Sequence, residues 1–199
     1  MRKIYYTLTA LTLSLTSCND LLDRMPDNRL VIDSPEKVQQ ALTNAYPQIA
    51  TTLINEFSSD NIDDIGADNI YSNFLTRETA YWQPILEYNN VDGLQNIWDY
   101  HYKAIGQANA ALDAIETTLH NDASLNPAKG EALVARAYAH FCLVNLFSQA
   151  YNPNTSSSDL GIPYITRPEE EMNPQRQRGT VAQVYQQIAA DLEKGLPLI

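Results

Sequence analysis

The sequence is poor in cysteine, glycine and basic residues, and each shortage excludes a class of protein. Its two cysteines, Cys18 and Cys142, are too few for a disulfide framework or a four-thiolate zinc site. The 13 Lys and Arg residues face 24 Asp and Glu residues, and the net charge of −11 argues against binding to nucleic acid or anionic lipid. The 7 glycines form no phosphate-cradling loop.

The chain does contain enough apolar material for a domain, together with many aromatic rings. Hydrophobic residues make up 44% of its 199 residues, so a core can form without disulfides or metals. It has 12 tyrosines, 4 phenylalanines and 2 tryptophans. With so little glycine, this composition favours a helical protein that has aromatic side chains to spare.

The N-terminus has the pattern of a secretory signal. A basic start, Met1-Arg2-Lys3, precedes an apolar run from Ile4 to Leu13, which is shorter than the roughly 20 residues needed to cross a bilayer. The following Leu15-Thr16-Ser17-Cys18 resembles the bacterial lipobox. We therefore predict a signal peptide over 1–17 and a lipidated tether over 18–33, since acyl chains on the cysteine would anchor the chain stably. The alternative is an ordinary signal peptide that contains a cysteine.

Four helices are predicted in the remaining residues, 34–199. The first begins with Ser34 as N-cap and Pro35 at its first position, buries Val38, Ala41, Leu42, Ala45 and Ile49, and kinks at Pro47. Apolar residues at helical spacing predict the second from Leu94 to Leu119 and the third from Asn126 to Gln149, joined as an antiparallel hairpin. The fourth begins at the capping box Thr180–Gln183 and ends at Gly195.

These patterns predict an all-α fold, namely an irregular tetratricopeptide-like helical-repeat scaffold with long loops over 56–93 and 150–179. In the third helix, small alanines allow close approach, while Leu133, Phe141, Val144 and Phe147 supply volume. Cys142 is interpreted as a small buried apolar residue.

The candidate ligand-binding residues lie in the first long loop, where aromatic rings mix with amides and an arginine. Sugars are recognised by flat rings against their apolar face and by polar groups that bind their hydroxyls. The candidates are Asn69, Tyr71, Asn73, Arg77, Tyr81, Trp82, Tyr88, Asn89 and Asn90. The alternative is that Tyr81 and Trp82 cap the core.

Three other polar or aromatic positions are interpreted structurally. Trp98 and Tyr102 share the apolar stripe of the second helix, which favours core packing. Arg136 lies in an alanine-rich helix, where an ion pair between helices is favoured over ligand contact, with a partner that the sequence does not identify.

Catalytic and metal sites are not supported by the residue spacing. Asp60, Asp63 and Asp64 lie in one polar run rather than on the separate elements that a glycosidase uses, and they lack the EF-hand spacing for calcium. The histidines, His101, His120 and His140, form no zinc motif. We predict a protein that is not an enzyme, with no catalytic residue, metal or cofactor.

Five blocks of sequence resemble the SusD/RagB family of nutrient-uptake outer-membrane lipoproteins, in the family's order. They are Cys18-Asn19-Asp20-Leu21-Leu22-Asp23, Trp98-Asp99-Tyr100-His101-Tyr102-Lys103-Ala104-Ile105-Gly106-Gln107-Ala108-Asn109, Gly130-Glu131-Ala132-Leu133-Val134-Ala135-Arg136-Ala137-Tyr138, Gly161-Ile162-Pro163-Tyr164 and Arg178-Gly179-Thr180-Val181. They cover the N-terminal part of the family pattern, because the chain stops after Gly195-Leu196-Pro197. The resemblance therefore predicts an incomplete SusD-like domain over 34–199.

The resemblance implies a surface-exposed protein anchored in the outer membrane by lipid (palmitate) on Cys18. Such proteins bind oligosaccharides, or peptides in some branches, and deliver them to a SusC-like TonB-dependent transporter without covalent chemistry. Two alternatives remain: a helical-repeat envelope lipoprotein that acts only as an interaction scaffold, and a secreted glycoside hydrolase. Exposure of Tyr81 and Trp82 beside a groove would favour ligand binding.

Overall fold

Helices account for nearly all the regular structure in the residues that the computed structural model describes, which are 31–63, 66, 74–86, 93–169 and 176–199. Within these residues, extended backbone pairs only in an antiparallel bridge between Leu160 and Thr180. The prediction of an all-α fold is confirmed. The helices are α1 (Pro35–Thr43), α2 (Thr52–Phe57), α3 (Phe74–Ala80), α4 (Leu94–Thr117), α5 (Asn126–Phe147) and α6 (Val181–Gly195), with 3-10 turns at Ala123–Leu125 and Leu196–Leu198.

Helix α1 begins as predicted but ends earlier. Ser34 Oγ accepts a hydrogen bond from the Lys37 backbone N–H, and Pro35 occupies the first turn. The helix ends at Thr43, where the Asn44 N–H bonds back to the Ala41 carbonyl. The predicted kink at Pro47 is therefore wrong, because this proline lies beyond the helix.

The antiparallel hairpin of α4 and α5 forms the centre of the fold. The C-terminal half of α4 packs against the start of α5, where Ile115 shares a buried cluster with Leu125 and Ala128. The N-terminal end of α4 meets the end of α5, where Trp98 contacts Phe147. Helix α1 packs on the first cluster and α6 on the second. The bounds of α4 and α5 lie within two residues of the predicted ones.

A glycine contact lets α5 and α6 approach closely. A Cβ atom added to Gly130 would lie 2.7 Å from the Gly195 carbonyl oxygen and 2.9 Å from Leu198 Cβ. Neither distance leaves room for a methyl group, so glycine is required at Gly130 to bring the end of α6 against α5. The capping box at Thr180 is confirmed, with Thr180 Oγ1 bound to the Gln183 N–H and Gln183 Oε1 to the Thr180 N–H.

Some residues that were expected in the core are not fully buried. Phe141 was expected to fill core volume, but it is 46% exposed. This position lies on the face of α5 that carries Tyr138, which is also exposed. Cys142 is half-buried rather than buried, and burial raises the pKa of its thiol.

Two short helices occur where loops or no regular structure were expected. They are α2, whose Ile54 is buried, and α3, which lies inside the predicted loop 56–93. With 6 and 7 residues, they are too short to show an apolar period in the sequence. In the described part of the chain, none of the helices has the length and apolar character needed to span a bilayer.

Candidate functional site

The turn after α3 presents a tryptophan to solvent. Helix α3 ends at Ala80, and Trp82 follows with its backbone N–H bonded to the Thr79 carbonyl at 3.1 Å. Trp82 is 80% exposed, and the adjacent Tyr81 is 54% exposed. The alternative interpretation, in which these two rings cap the core, is therefore wrong.

The backbone of Trp82 is strained, and the surrounding hydrogen bonds hold it in place. Its φ is +53°, in the left-handed region that bulky residues avoid, at a cost of about 1–3 kcal/mol. The Gln83 N–H donates to the Glu78 carbonyl at 2.8 Å, and the buried Glu78 carboxylate accepts the Leu86 N–H at 2.8 Å. The loop thus bends around Glu78. Its hydrogen bonds offset the strain in the Trp82 backbone, while the indole ring stays in solvent.

The structure describes only part of the predicted ligand-binding set. Arg77 is exposed in the last turn of α3, one turn before Tyr81 and Trp82. The remaining candidates and the predicted lipidation site lie outside the described residues: Asn69, Tyr71, Asn73, Tyr88, Asn89, Asn90 and Cys18.

A cleft of about 750 Å³ lies between α4 and the chain segment that follows α5. Its size falls in the range of small-molecule sites. Both sides contribute apolar and charged side chains, and the aromatic rings of the lining are on α4. The lining residues are Trp98, Asp99, Tyr102, Lys103, Ile105, Gly106, Gln107, Pro163, Ile165, Arg167, Glu169 and Arg176.

The aromatic wall of the cleft is fixed by packing. Trp98 lies 4.8 Å from the Tyr102 ring and 5.0 Å from the Phe147 ring, measured between centroids. The Tyr102 hydroxyl donates to the Pro163 carbonyl at 2.8 Å, and burial raises the pKa of Tyr102. Trp98 and Tyr102 are half-buried against the core, so the packing role expected for them holds while they also line the cleft.

A buried ion pair supports the opposite wall. The Arg136 guanidinium on α5 donates from Nε and Nη2 to the two carboxylate oxygens of Asp191 on α6, each at 2.7 Å. Both residues are 6% exposed. The predicted ion pair between helices is therefore confirmed, and its partner is Asp191. The Tyr164 hydroxyl also donates to Asp191 at 2.6 Å, and burial, followed by this hydrogen bond, raises the pKa of Tyr164.

The same arginine holds the extended segment 162–167 through backbone carbonyls. Its Nη1 donates to Asn109 Oδ1 at 2.8 Å and to the Thr166 carbonyl at 3.2 Å. The Asn109 amide in turn donates to the carbonyls of Ile165 and Arg167. Residues 162–167 have no strand partner in the described part of the chain, so side chains of α4 and α5 donate to their carbonyls instead.

His140 completes this network as a neutral ring. Its Nε2 accepts the Ile165 N–H at 3.1 Å, so Nδ1 carries the proton and donates to the Arg136 carbonyl at 2.9 Å. The ring stacks on Tyr164 at 3.8 Å. Burial, as the largest cause, lowers the pKa of His140 to about 4. Sequence reasoning missed Asn109 and His140, although an amide and a histidine on apolar helix faces were a usable signal.

The groups considered for catalysis or metal binding are dispersed in the described part of the chain. His101 is buried, with Nδ1 2.7 Å from the Ile97 carbonyl oxygen, whereas His120 is exposed. Asp60 and Asp63 lie in the turn after α2, and Asp64 is outside the described residues. Among the described residues, His, Cys, Asp and Glu side chains form no cluster of three or more that could hold a metal ion.

Comparison with known proteins identifies the family. The sequence model of the SusD-like family, described as starch-binding and associating with the outer membrane, matches residues 20–199. The chain belongs to the SusD-like family. The predicted resemblance is thereby confirmed, over a match that includes every described element.

A solved relative supports the same fold. A SusD superfamily protein from Bacteroides thetaiotaomicron superposes with a TM-score of 0.57 at 24% identity, over 82% of this chain. The alignment covers 37% of that protein, so this SusD-like chain spans little more than a third of its length. A comparison with curated proteins finds no significant match.

Proposed function

We propose that this SusD-like protein captures oligosaccharide at the bacterial surface, with Arg77, Tyr81 and Trp82 in its ligand-contacting surface. The observation that carries the proposal is Trp82, 80% exposed and in a strained conformation. Strain of this kind persists where surrounding contacts enforce it, and it clusters at ligand-binding positions. An exposed indole ring provides the flat apolar face on which a sugar ring stacks.

The family supports the ligand class and the location. Its description as starch-binding and associating with the outer membrane favours a glycan over a peptide as ligand. The lipobox-like Leu15-Thr16-Ser17-Cys18 supports anchoring through lipid on Cys18. We further propose that the captured oligosaccharide passes to a SusC-like TonB-dependent transporter. Asn69, Tyr71, Asn73, Asn89 and Asn90 remain proposed contacts, as neighbours of Trp82 in sequence.

Calorimetric titration of a Trp82→Ala variant tests the ligand surface. Maltoheptaose, a linear xylan oligomer and a short peptide mixture serve as probes of the full chain. We expect an oligosaccharide to bind and Trp82→Ala to weaken its binding about tenfold, because a stacked ring is lost. Leu86→Ala is the matched control, since Leu86 is a 69% exposed apolar side chain in the same loop and its backbone N–H remains available to Glu78.

An equal loss of oligosaccharide affinity in Trp82→Ala and Leu86→Ala, or no loss in either variant, would contradict a stacking role for Trp82. Failure of every probe to bind would instead favour the scaffold alternative, in which the helical repeat only contacts other envelope proteins. If only the peptide mixture bound, the protein would still be a capture protein, but its ligands would be peptides rather than oligosaccharides.

The membrane anchor is tested separately with Cys18→Ala. We expect the wild-type chain to incorporate labelled palmitate and to sediment with outer membranes, and the variant to lose both properties. Retention of the variant in the membrane fraction would refute the lipoprotein assignment. Crosslinking of the wild-type chain to a TonB-dependent barrel in intact cells tests delivery.

A further inference from the structure

A second aromatic surface lies at the end of α5, away from the residues of the proposed ligand surface. The turn after this helix lines an open hollow of about 520 Å³, which we name the Tyr151 hollow. It is lined by Gln149, Ala150, Tyr151, Asn152, Pro153, Thr155 and Asp159. None of these residues contributes to the cleft beside α4 or to the Trp82 turn.

The Tyr151 ring is held in place while much of it remains open. Tyr151 is 50% exposed, and its ring packs against the Tyr185 ring at 5.2 Å with an interplanar angle of 73°. Tyr185 is itself fixed by α5, through its hydroxyl on Asn145 Oδ1 at 3.3 Å and its edge contact with Phe141. This edge-to-face contact fixes Tyr151, while half of its side chain stays accessible to a ligand.

The polar part of the hollow is preformed by backbone hydrogen bonds. The Asn152 carbonyl accepts the N–H groups of Thr155 and Ser156, and Asn152 Oδ1 accepts the Asn154 N–H. Ser156 is buried, and its carbonyl accepts the Ala182 N–H. The turn is thus attached to the first turn of α6, so little ordering entropy would be lost when a ligand binds.

The charge of the lining restricts what fits. Among the described residues that line the hollow, Asp159 is the one carboxylate and none is a lysine or arginine. A carboxylate in such a lining repels uronic acids, sulfates and phosphates. The amides of Gln149 and Asn152, the Thr155 hydroxyl and Asp159 disfavour a purely apolar ligand, since their hydrogen bonds to water would be lost. A neutral polyol with an apolar ring face satisfies both restrictions.

We infer that the Tyr151 hollow is a second glycan subsite, specific for a neutral sugar residue. The sugar ring stacks on Tyr151, and one of its hydroxyls donates a hydrogen bond to the Asp159 carboxylate. The inference rests on the proposed glycan capture for its ligand class, but it uses residues separate from Trp82.

Backbone amide shifts of the full ¹⁵N-labelled chain test the subsite. Maltoheptaose and a linear xylan oligomer are the neutral probes, and an oligogalacturonide is the anionic probe. We expect at least one neutral probe to shift the amides of Asn152, Thr155 and Asp159 in a saturable manner, and the anionic probe to leave them unmoved. Tyr151→Ala should weaken this response at least about fivefold, because the stacking face is removed.

Two control variants and the pattern of amide shifts decide the result. Tyr46→Ala removes an exposed tyrosine ring that neither lines the hollow nor supports Tyr151, so the response should persist. Trp82→Ala should also leave it in place. Shifts at the Gln83 and Leu86 amides without shifts in the hollow would overturn this inference and retain the Trp82 surface, whereas the reverse pattern would overturn the Trp82 surface alone. The subsite would also be refuted if the amide shifts in the hollow persisted in Tyr151→Ala, or if the oligogalacturonide produced shifts as large as those of the neutral probes.

Discussion

Replacing Asp191 with leucine should destabilise the fold more than removal of a surface charge would, because it leaves the Arg136 guanidinium buried without a counter-charge. The carboxylate accepts two bonds of 2.7 Å from Arg136 and one of 2.6 Å from Tyr164, and both members of the ion pair are 6% exposed. Breaking a buried pair from one side costs about 3–5 kcal/mol. For a chain of this size, such a loss lowers the melting temperature by about 6–20 °C.

Urea unfolding followed by helical circular dichroism measures this change in the free energy of unfolding. We expect a lower midpoint with an unchanged slope. The control is the double variant Arg136→Met with Asp191→Leu, which removes the unpaired guanidinium and should recover about 1–3 kcal/mol relative to Asp191→Leu. Recovery should be incomplete, because Asn109 Oδ1 and the Thr166 carbonyl lose their donor.

Two results would refute this reasoning. If Asp191→Leu unfolded within about 1 kcal/mol of the wild type, the pair would behave like an exposed one, whose contribution is of that size. If the double variant were no more stable than the single, the cost would come from lost packing at position 191 rather than from the unpaired charge.

Three further predictions concern the same helices. The pKa of His140 is about 4 in the fold and 6.5 in the unfolded chain, so the unfolded chain takes up the proton first as the pH falls. The contribution of neutral His140 to the free energy of unfolding is therefore complete above pH 6.5 and falls by about 3 kcal/mol as the pH drops to 4. Urea midpoints measured across this range should decrease less in His140→Asn than in the wild type. Gly130→Ala should cost about 1–3 kcal/mol of stability, because the added methyl group meets the Gly195 carbonyl. Gly106→Ala should instead stabilise α4 by up to about 1 kcal/mol, because a Cβ added there has no described atom within 4 Å apart from the neighbouring helix backbone. Opposite shifts in the melting temperatures of the two variants check this pair. Thr180→Ala should cost about 1 kcal/mol through loss of the capping box, and no shift in the melting temperature would show that the cap contributes nothing.

The long helices were readable from the sequence because their signals are local. Caps and apolar periods fix where a helix begins and which face it buries, so α4, α5 and α6 were predicted within two residues of their bounds. Local signals also account for the errors. The apolar pattern continued past Thr43 to Ile49, but the chain turns at its C-cap, Asn44, and Pro47 beyond it marks the end of α1 rather than a kink within it.

The buried network was only half readable, because its pairings join residues distant in sequence. An arginine in an alanine-rich helix must find a counter-charge, and this requirement predicted the kind of contact that Arg136 makes. The identity of the partner depends on how α6 lies against α5, since Asp191 is 55 positions away. His140 lies one turn from Arg136 on α5, yet its bond to Ile165 depends on a segment with no regular structure.

The proposed ligand surface differs from the network in how its geometry is maintained. At the cleft, the Arg136–Asp191 pair and His140 hold a wall through many coupled bonds, so a change there affects stability first. At Trp82, a single buried carboxylate, Glu78, braces a short turn whose indole ring gains nothing from core packing. An exposed, strained tryptophan is unfavourable for folding, and contact with a ligand gives a physical reason to keep it there.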